Sequence, residues 1–207
     1  VDFLNYLILK YLKILGIKII FDNQLDLKIK KPLIIVSNHQ STYDIPPIIW
    51  YLRSYNPKFI GKKELRIGIP SISYNLRNGG SVLIDRSKPE EALRLIKSFA
   101  QRIEKNKWSA VIFPEGTRGF DGNPNKFKRK GLTTLFKNIP NATILPISIN
   151  HSWKLAKNNY FPLPLGVKIH FKFHPLIYLK ETTINDALDR VEKLIINGIT
   201  HPNLELQ

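Results

Sequence analysis

Cysteine is absent from all 207 residues. Its absence removes disulfide bridges, thiolate nucleophiles and cysteine-ligated zinc together. Methionine is absent too, and the chain opens at Val1, so this first residue need not be the natural start. Acids are scarce: 16 Asp and Glu stand against 32 Lys and Arg, a formal charge of +16. A surface of that sign attracts anions, whether nucleic acid, acidic lipid headgroups or an acidic protein. The lysines are spread along the chain without zinc-finger spacing or an aromatic ribonucleoprotein motif, so nucleic acid is not the expected partner. A transmembrane helix needs about 20 residues nearly free of charge. The longest apolar stretch, from Phe3 to Phe21, is broken by Lys10, Lys13 and Lys18 and is followed by no signal-peptide cleavage pattern. Internal repeats, linkers and low-complexity tracts are also missing.

What remains is the composition of a folded chain: 43% apolar residues and 14 scattered prolines, long enough for one core. Phe3, Leu4, Leu7, Ile8, Tyr11, Leu12 and Leu15 recur at helical spacing, with Lys10 and Lys13 opposite. Residues 1–21 therefore read as an amphipathic helix. It either packs on the domain or lies in a membrane interface with lysines toward anionic headgroups, and the broad apolar face favours the interface. After a polar segment ending in Lys28, Lys30 and Lys31, strand and helix patterns alternate. Strands are predicted at residues 33–36, 58–60, 82–84, 110–113, 143–149 and 167–173. Helices are predicted at 44–53, 89–106, 131–137 and 185–197, while Gly68 and Pro70 interrupt the stretch 63–76. The alternation predicts one α/β domain over residues 22–207, a mixed, mostly parallel sheet flanked by helices, with function at the strand ends.

The most informative stretch is Leu33-Ile34-Ile35-Val36-Ser37-Asn38-His39-Gln40-Ser41-Thr42-Tyr43-Asp44, where a β-branched run breaks into polar residues. On a regular helix, residues five apart point about 140° away from each other. His39 and Asp44 can meet only if His39 lies on the strand-to-helix turn and Asp44 in the first turn of the helix. A carboxylate there would hold one imidazole nitrogen and leave the other as a base. A capped helix start, with Ser41 or Thr42 as the cap, is the plainer reading of the same residues.

Three further segments accompany it: Ile84-Asp85-Arg86 with Lys62 ahead, Phe113-Pro114-Glu115-Gly116-Thr117-Arg118, and Ile144-Leu145-Pro146-Ile147. With Asn-His-x-Ser-x-x-Asp at Asn38 to Asp44, these resemble in order the four sequence blocks of the glycerolipid acyltransferases. Within that family the resemblance is to the 1-acylglycerol-3-phosphate acyltransferases. The resemblance implies acyl transfer from a coenzyme A or acyl carrier protein thioester to the lysophospholipid hydroxyl, giving phosphatidic acid. It implies a protein peripheral or monotopic on an anionic membrane, at the cytoplasmic face of the inner membrane, with neither metal nor cofactor. His39 would be the general base and Asp44 its partner. Lys62, Arg86, Glu115, Gly116, Thr117 and Arg118 would form the acceptor site, with backbone N–H groups near Gly116 and Thr117 as oxyanion donors. Two other readings stay open: a different lysophospholipid acceptor, and a non-catalytic basic domain binding membrane or nucleic acid.

The sequence also departs from the family pattern. Gly119 stands where serine is common, the spacing from Phe127 to Gly131 is one residue longer, and Ser71-Ile72-Ser73-Tyr74 replaces a glycine-bearing turn. Outside the blocks, Lys126, Lys128, Arg129 and Lys130 form the densest basic run, either a solvated face or a headgroup or carrier contact. The proline-held stretch 160–166 either covers the core or dips into lipid. His170 and His174 are assigned to one solvent-exposed strand face, His151 reads as structural, and His201 as a terminal residue.

Overall fold

Strand β2 (Leu33–Ser37) is buried at every position because helices cover both faces of the sheet it centres. Its β-branched residues split between two cores: Ile34 and Val36 face one layer, Leu33 and Ile35 the other. This is the period-2 geometry of a strand turned into a two-sided core. The computed structural model describes residues 2–22, 29, 32–66, 73–74, 76 and 78–200. Most of the polar segment after Asp22, the interruption at Gly68 and Pro70, half of the 71–74 departure, and His201 lie outside them.

The sheet order is β1 (Lys18–Asp22), β7 (Lys168–Phe173), β6 (Thr143–Asn150), β2, β5 (Ser109–Ile112), β3 (Pro57–Lys62), β4 (Val82–Ile84), with β8 (Ile177–Tyr178) also on β6. Strand β6 runs antiparallel to β7 and β8, and the other pairings are parallel. Helices α3 (Pro89–Asn106), α4 (Arg129–Asn138) and α5 (Ile184–Asn197) cover one face; α1 (Asp2–Ile14) and α2 (Ile45–Tyr51) cover the other. Helix α3 opens with Pro89, Glu90 and Glu91 in its first turn, where proline's fixed φ and acidic charge both suit a helix start. The expected α/β architecture is the observed one.

The first 21 residues are not one helix. Helix α1 stops at Ile14, Gly16 takes φ +72°, and Lys18–Asp22 pairs with β7 as an edge strand. The β-branched residues of Ile17-Lys18-Ile19-Ile20 compete better for a sheet than for a helix. Helix α1 also divides its apolar stripe. Leu12 is fully buried, and Tyr6 meets Trp50 of α2 at 4.9 Å between centroids, while Phe3, Leu4, Leu7, Tyr11 and Ile14 are exposed. At about 100° per residue the exposed five form one stripe beside Lys10. The helix therefore both packs and presents an apolar face.

The register positions the site. Val36 pairs with Ile112, so the residues three places after this pair, His39 and Glu115, leave the sheet side by side. Lys62 pairs with Ile84, which puts Lys62 and Arg86 at the same edge.

Candidate active site

Asp44 has no exposed surface, yet four donors surround its carboxylate. Oδ2 accepts from His39 Nδ1 (2.8 Å), Gln40 N (2.8 Å) and Ser41 N (2.9 Å), and Oδ1 from Ser152 Oγ (2.5 Å). A buried carboxylate needs such donors to offset its desolvation. The turn Thr42–Asp44 makes the approach possible: Ser41 caps it, accepting from Tyr43 N, and Asp44 returns the bond to Ser41 N. The capping box and the His–Asp contact therefore share one carboxylate and coexist in this turn. With Nδ1 bonded to Asp44, the other imidazole nitrogen, Nε2, has no hydrogen-bond partner among the described residues. The ring stacks on Phe113 at 4.2 Å between centroids and 15° between planes.

The second segment clamps the backbone of the first. Glu115 Oε1 accepts from His39 N (2.7 Å), while Oε2 accepts from Asn125 N (2.7 Å) and Asn125 Nδ2 (3.1 Å). Gly119 N donates to His39 O at 2.8 Å, so both polar groups of the His39 backbone are held. Burial pushes the Glu115 carboxyl up from its ordinary value, opposed by the N–H groups of Asn125 and His39. Asn38 joins the fourth segment: its side-chain amide exchanges two hydrogen bonds with the backbone of Ile149, at 2.8 and 2.7 Å.

Gly116 has φ +74°, a conformation open to glycine at little cost. Its N–H is spent on Phe113 O (3.1 Å), which removes it as an oxyanion donor. The Thr117 N–H has no acceptor among the described residues. Arg118 turns toward the His–Asp pair. Its Nη1 donates to Thr42 Oγ1 (2.9 Å) and to the hydroxyl of Tyr160.

Arg86 does not pair with Asp85 or Glu115. Asp85 accepts from Ser87 N and Oγ, and Glu115 is engaged as above. Arg86 instead lines a groove of about 490 Å³ with Gly116 and Lys128, floored by Ile60, Ile84 and Ile96. Lys62 stands outside that lining and faces Glu64 at 3.5 Å on the surface. The structure thus gathers His39, Asp44, Glu115, Gly116, Thr117 and Arg118, adds Arg86 through the groove, and leaves Lys62 at the outer edge.

All four cations of the basic run are exposed, as a solvated face requires. Arg129 pairs with Asp189 (2.7 Å) and Glu192 (2.5 Å) of α5, and Lys128 lies over Gly116. The assignment of His174 to a solvent-exposed strand face is overturned: it follows β7 and is buried, with Nε2 2.7 Å from Ser148 Oγ. His170 is half-buried against Asp22 (3.0 Å), and His151 lines a separate polar hollow with it. Sequence reasoning missed Ser152 and Asn125 altogether. It left Tyr160 as a loop residue and Thr42 as a cap, although both hold Arg118. Ser152 and Tyr160 lie 108 and 118 positions from their partners and belong to no block, so only the fold connects them.

Residues 18–150 match the Acyltransferase family. The chain belongs to that family. The crystal structure of the 1-acyl-sn-glycerophosphate (LPA) acyltransferase PlsC from Thermotoga maritima is similar at a TM-score of 0.72. It is 27% identical, with 94% of this chain and 79% of that chain covered. A 1-acyl-sn-glycerol-3-phosphate acyltransferase of Limnanthes alba is 30% identical over 168 residues, 80% of this chain and 57% of its own length. The protein of the same description from Saccharomyces cerevisiae is 29% identical over 160 residues, 75% of this chain and 50% of its own. The chain therefore spans about half the length of these curated relatives. Within the family frame, the departure at Gly119 has a local cause. A Cβ there would lie 2.5 Å from Asn123 O, so the loop of this family member closes too tightly for serine.

Proposed function

We propose that the protein transfers an acyl group from a thioester to the free hydroxyl of 1-acylglycerol-3-phosphate, forming phosphatidic acid. The observation that carries this reading is the buried Asp44 carboxylate on His39 Nδ1, with Nε2 unpartnered among the described residues and the ring stacked on Phe113, which lines an apolar groove together with Arg86. The acceptor hydroxyl gives its proton to Nε2 as its oxygen attacks the thioester carbonyl, a step in which a positioned base supplies about 10²–10⁴-fold. Asp44 stabilises the imidazolium. The Thr117 N–H is the proposed donor to the tetrahedral oxyanion. Attack forms the ester C–O bond; collapse of the tetrahedral intermediate restores the carbonyl and breaks the C–S bond, and the imidazolium returns its proton to the leaving sulfur. The reaction balances without an acyl-enzyme, a metal or a bound cofactor.

Arg118 is assigned to the acceptor phosphate, with Arg86 and Lys62 as outer cations along the same edge. Glu115 and Gly116 shape the turn between them. The apolar groove takes an acyl chain, and the Arg86 and Lys128 rim suits an anionic donor, either coenzyme A or acyl carrier protein. No described helix is long and apolar enough to cross a membrane. The exposed stripe of α1, with Lys10 beside it, supports peripheral docking on an anionic bilayer, in the proposed setting the cytoplasmic face of the inner membrane. The test is an acceptor panel with both donor thioesters, read as product lipid by mass spectrometry. Phosphatidic acid from 1-acylglycerol-3-phosphate is expected; acylation of only other lysolipids would move the assignment to them, and no acylation of any would remove it.

A further inference from the structure

Three successive residues, Asn158, Asn159 and Tyr160, hold left-handed φ angles of 53°, 51° and 68°. Such angles are uncommon away from glycine, and for an aromatic residue they mark an outlier. The side chain this segment delivers is Tyr160, whose hydroxyl reaches into the site across 118 positions of sequence. It accepts from Thr42 N (3.2 Å) and from Arg118 Nη1, and lies 3.1 Å from Thr42 Oγ1. Thr42 Oγ1 accepts the other Nη1 proton at 2.9 Å. The guanidinium carbon also sits 5.7 Å from the centre of the Tyr160 ring.

A guanidinium has five N–H donors, and only paired N–H groups on one edge grip a phosphate in bidentate fashion. Tyr160 and Thr42 together engage Nη1, on the side facing the His39–Asp44 turn. The edge left for a ligand is the one formed by Nε and Nη2. We infer that Tyr160 is a positioning residue for the acceptor: it fixes the rotation of Arg118 so that the Nε–Nη2 edge meets the acceptor phosphate. This rests on the phosphate role proposed for Arg118. The hydroxyl, rather than the ring, carries the effect, because the two oxygen acceptors on Nη1 set the orientation. Tyr160 touches no reacting atom, so its removal acts on acceptor binding rather than on the chemical step.

Tyr160→Phe keeps the ring and deletes the hydroxyl. The expected result is a rise of about tenfold or more in KM for 1-acylglycerol-3-phosphate, the lower end of one charge-assisted hydrogen bond. Little change is expected in kcat, in KM for the thioester, or in KM for an acceptor lacking phosphate. In an Arg118→Ala background the same substitution should add nothing further, since the hydroxyl then has no guanidinium to hold. Calorimetric binding of glycerol 3-phosphate to the full chain separates this inference from the reading beneath it. Weaker binding in Tyr160→Phe sustains the role of Tyr160 even if lysophosphatidic acid is not the acceptor turned over. Unchanged KM and unchanged phosphate affinity, or an equal KM rise for phosphate-free acceptors, would overturn it.

Discussion

The backbone N–H of His39 donates to the carboxylate of Glu115 at 2.7 Å, tying the residue proposed as base to a turn 76 positions away. The other carboxylate oxygen is taken by two N–H groups of Asn125. Among the described residues, Glu115 is thus an acceptor of three donors and no cation. Glu115→Gln keeps the shape but aims an NH₂ group at one of those donors. An unfolding free energy lower by about 1–3 kcal/mol is expected from the mismatch, with kcat reduced and KM for the thioester little changed. Urea denaturation and steady-state kinetics on the same preparation check it; wild-type stability and kcat would argue against the clamp.

Gly119→Ser introduces the residue common elsewhere in the family. Its Cβ would stand 2.5 Å from Asn123 O, a backbone atom that cannot step aside cheaply. A loss of about 1–3 kcal/mol in stability is predicted, with activity lowered because Gly119 also donates to His39 O. A shift in the denaturation midpoint reads this directly, and an unshifted midpoint would show that the loop yields.

His174 supplies a pH dependence of stability. Burial, aided by the charge of Lys172, pushes its imidazole down from 6.5 to about 4. The unfolded chain therefore binds a proton at a pH where the folded chain does not. Stability from this group is fully present above about pH 6.5 and is lost as pH falls toward about 4. The loss is on the order of 3 kcal/mol. Urea midpoints measured across that window should decline with acidification, and His174→Gln should decline less; parallel curves would contradict the assignment.

Membrane docking is best tested by surface substitution. Removing residues 1–21 would delete most of strand β1 along with helix α1. Phe3→Ser, Leu7→Ser and Ile14→Ser together alter only the exposed stripe. Vesicle partitioning onto anionic lipid is expected to fall roughly tenfold or more, with the melting temperature retained. Undiminished sedimentation with vesicles would mean that another surface carries the contact.

Much of the architecture was legible because it rests on local patterns. Val82–Ile84 and Pro89–Asn106 were read with the bounds the structure gives them. The short β-branched runs could be nothing but buried strands in a sheet covered twice. The helix ending at Ile14 was overextended because helical periodicity continues into a segment whose pairing partner, β7, lies 150 positions later. The site divides the same way. The His39–Asp44 pair was recoverable from a turn and a spacing. The Glu115 clamp, the Asn38–Ile149 exchange and the Tyr160 hydroxyl depend on strand register and long-range closure. Composition hides these contacts, and His174 shows the same limit: two-residue alternation pointed outward where the chain had already left the strand.

The central claim is that the imidazole of His39, held by Asp44, takes the acceptor's proton. Thiol release from an acyl thioester in the presence of 1-acylglycerol-3-phosphate measures it most directly, comparing wild type with His39→Ala. A fall of at least about 10²-fold in kcat, with an unchanged circular dichroism spectrum and melting temperature, is the predicted result. Turnover by His39→Ala at the wild-type rate would contradict the account.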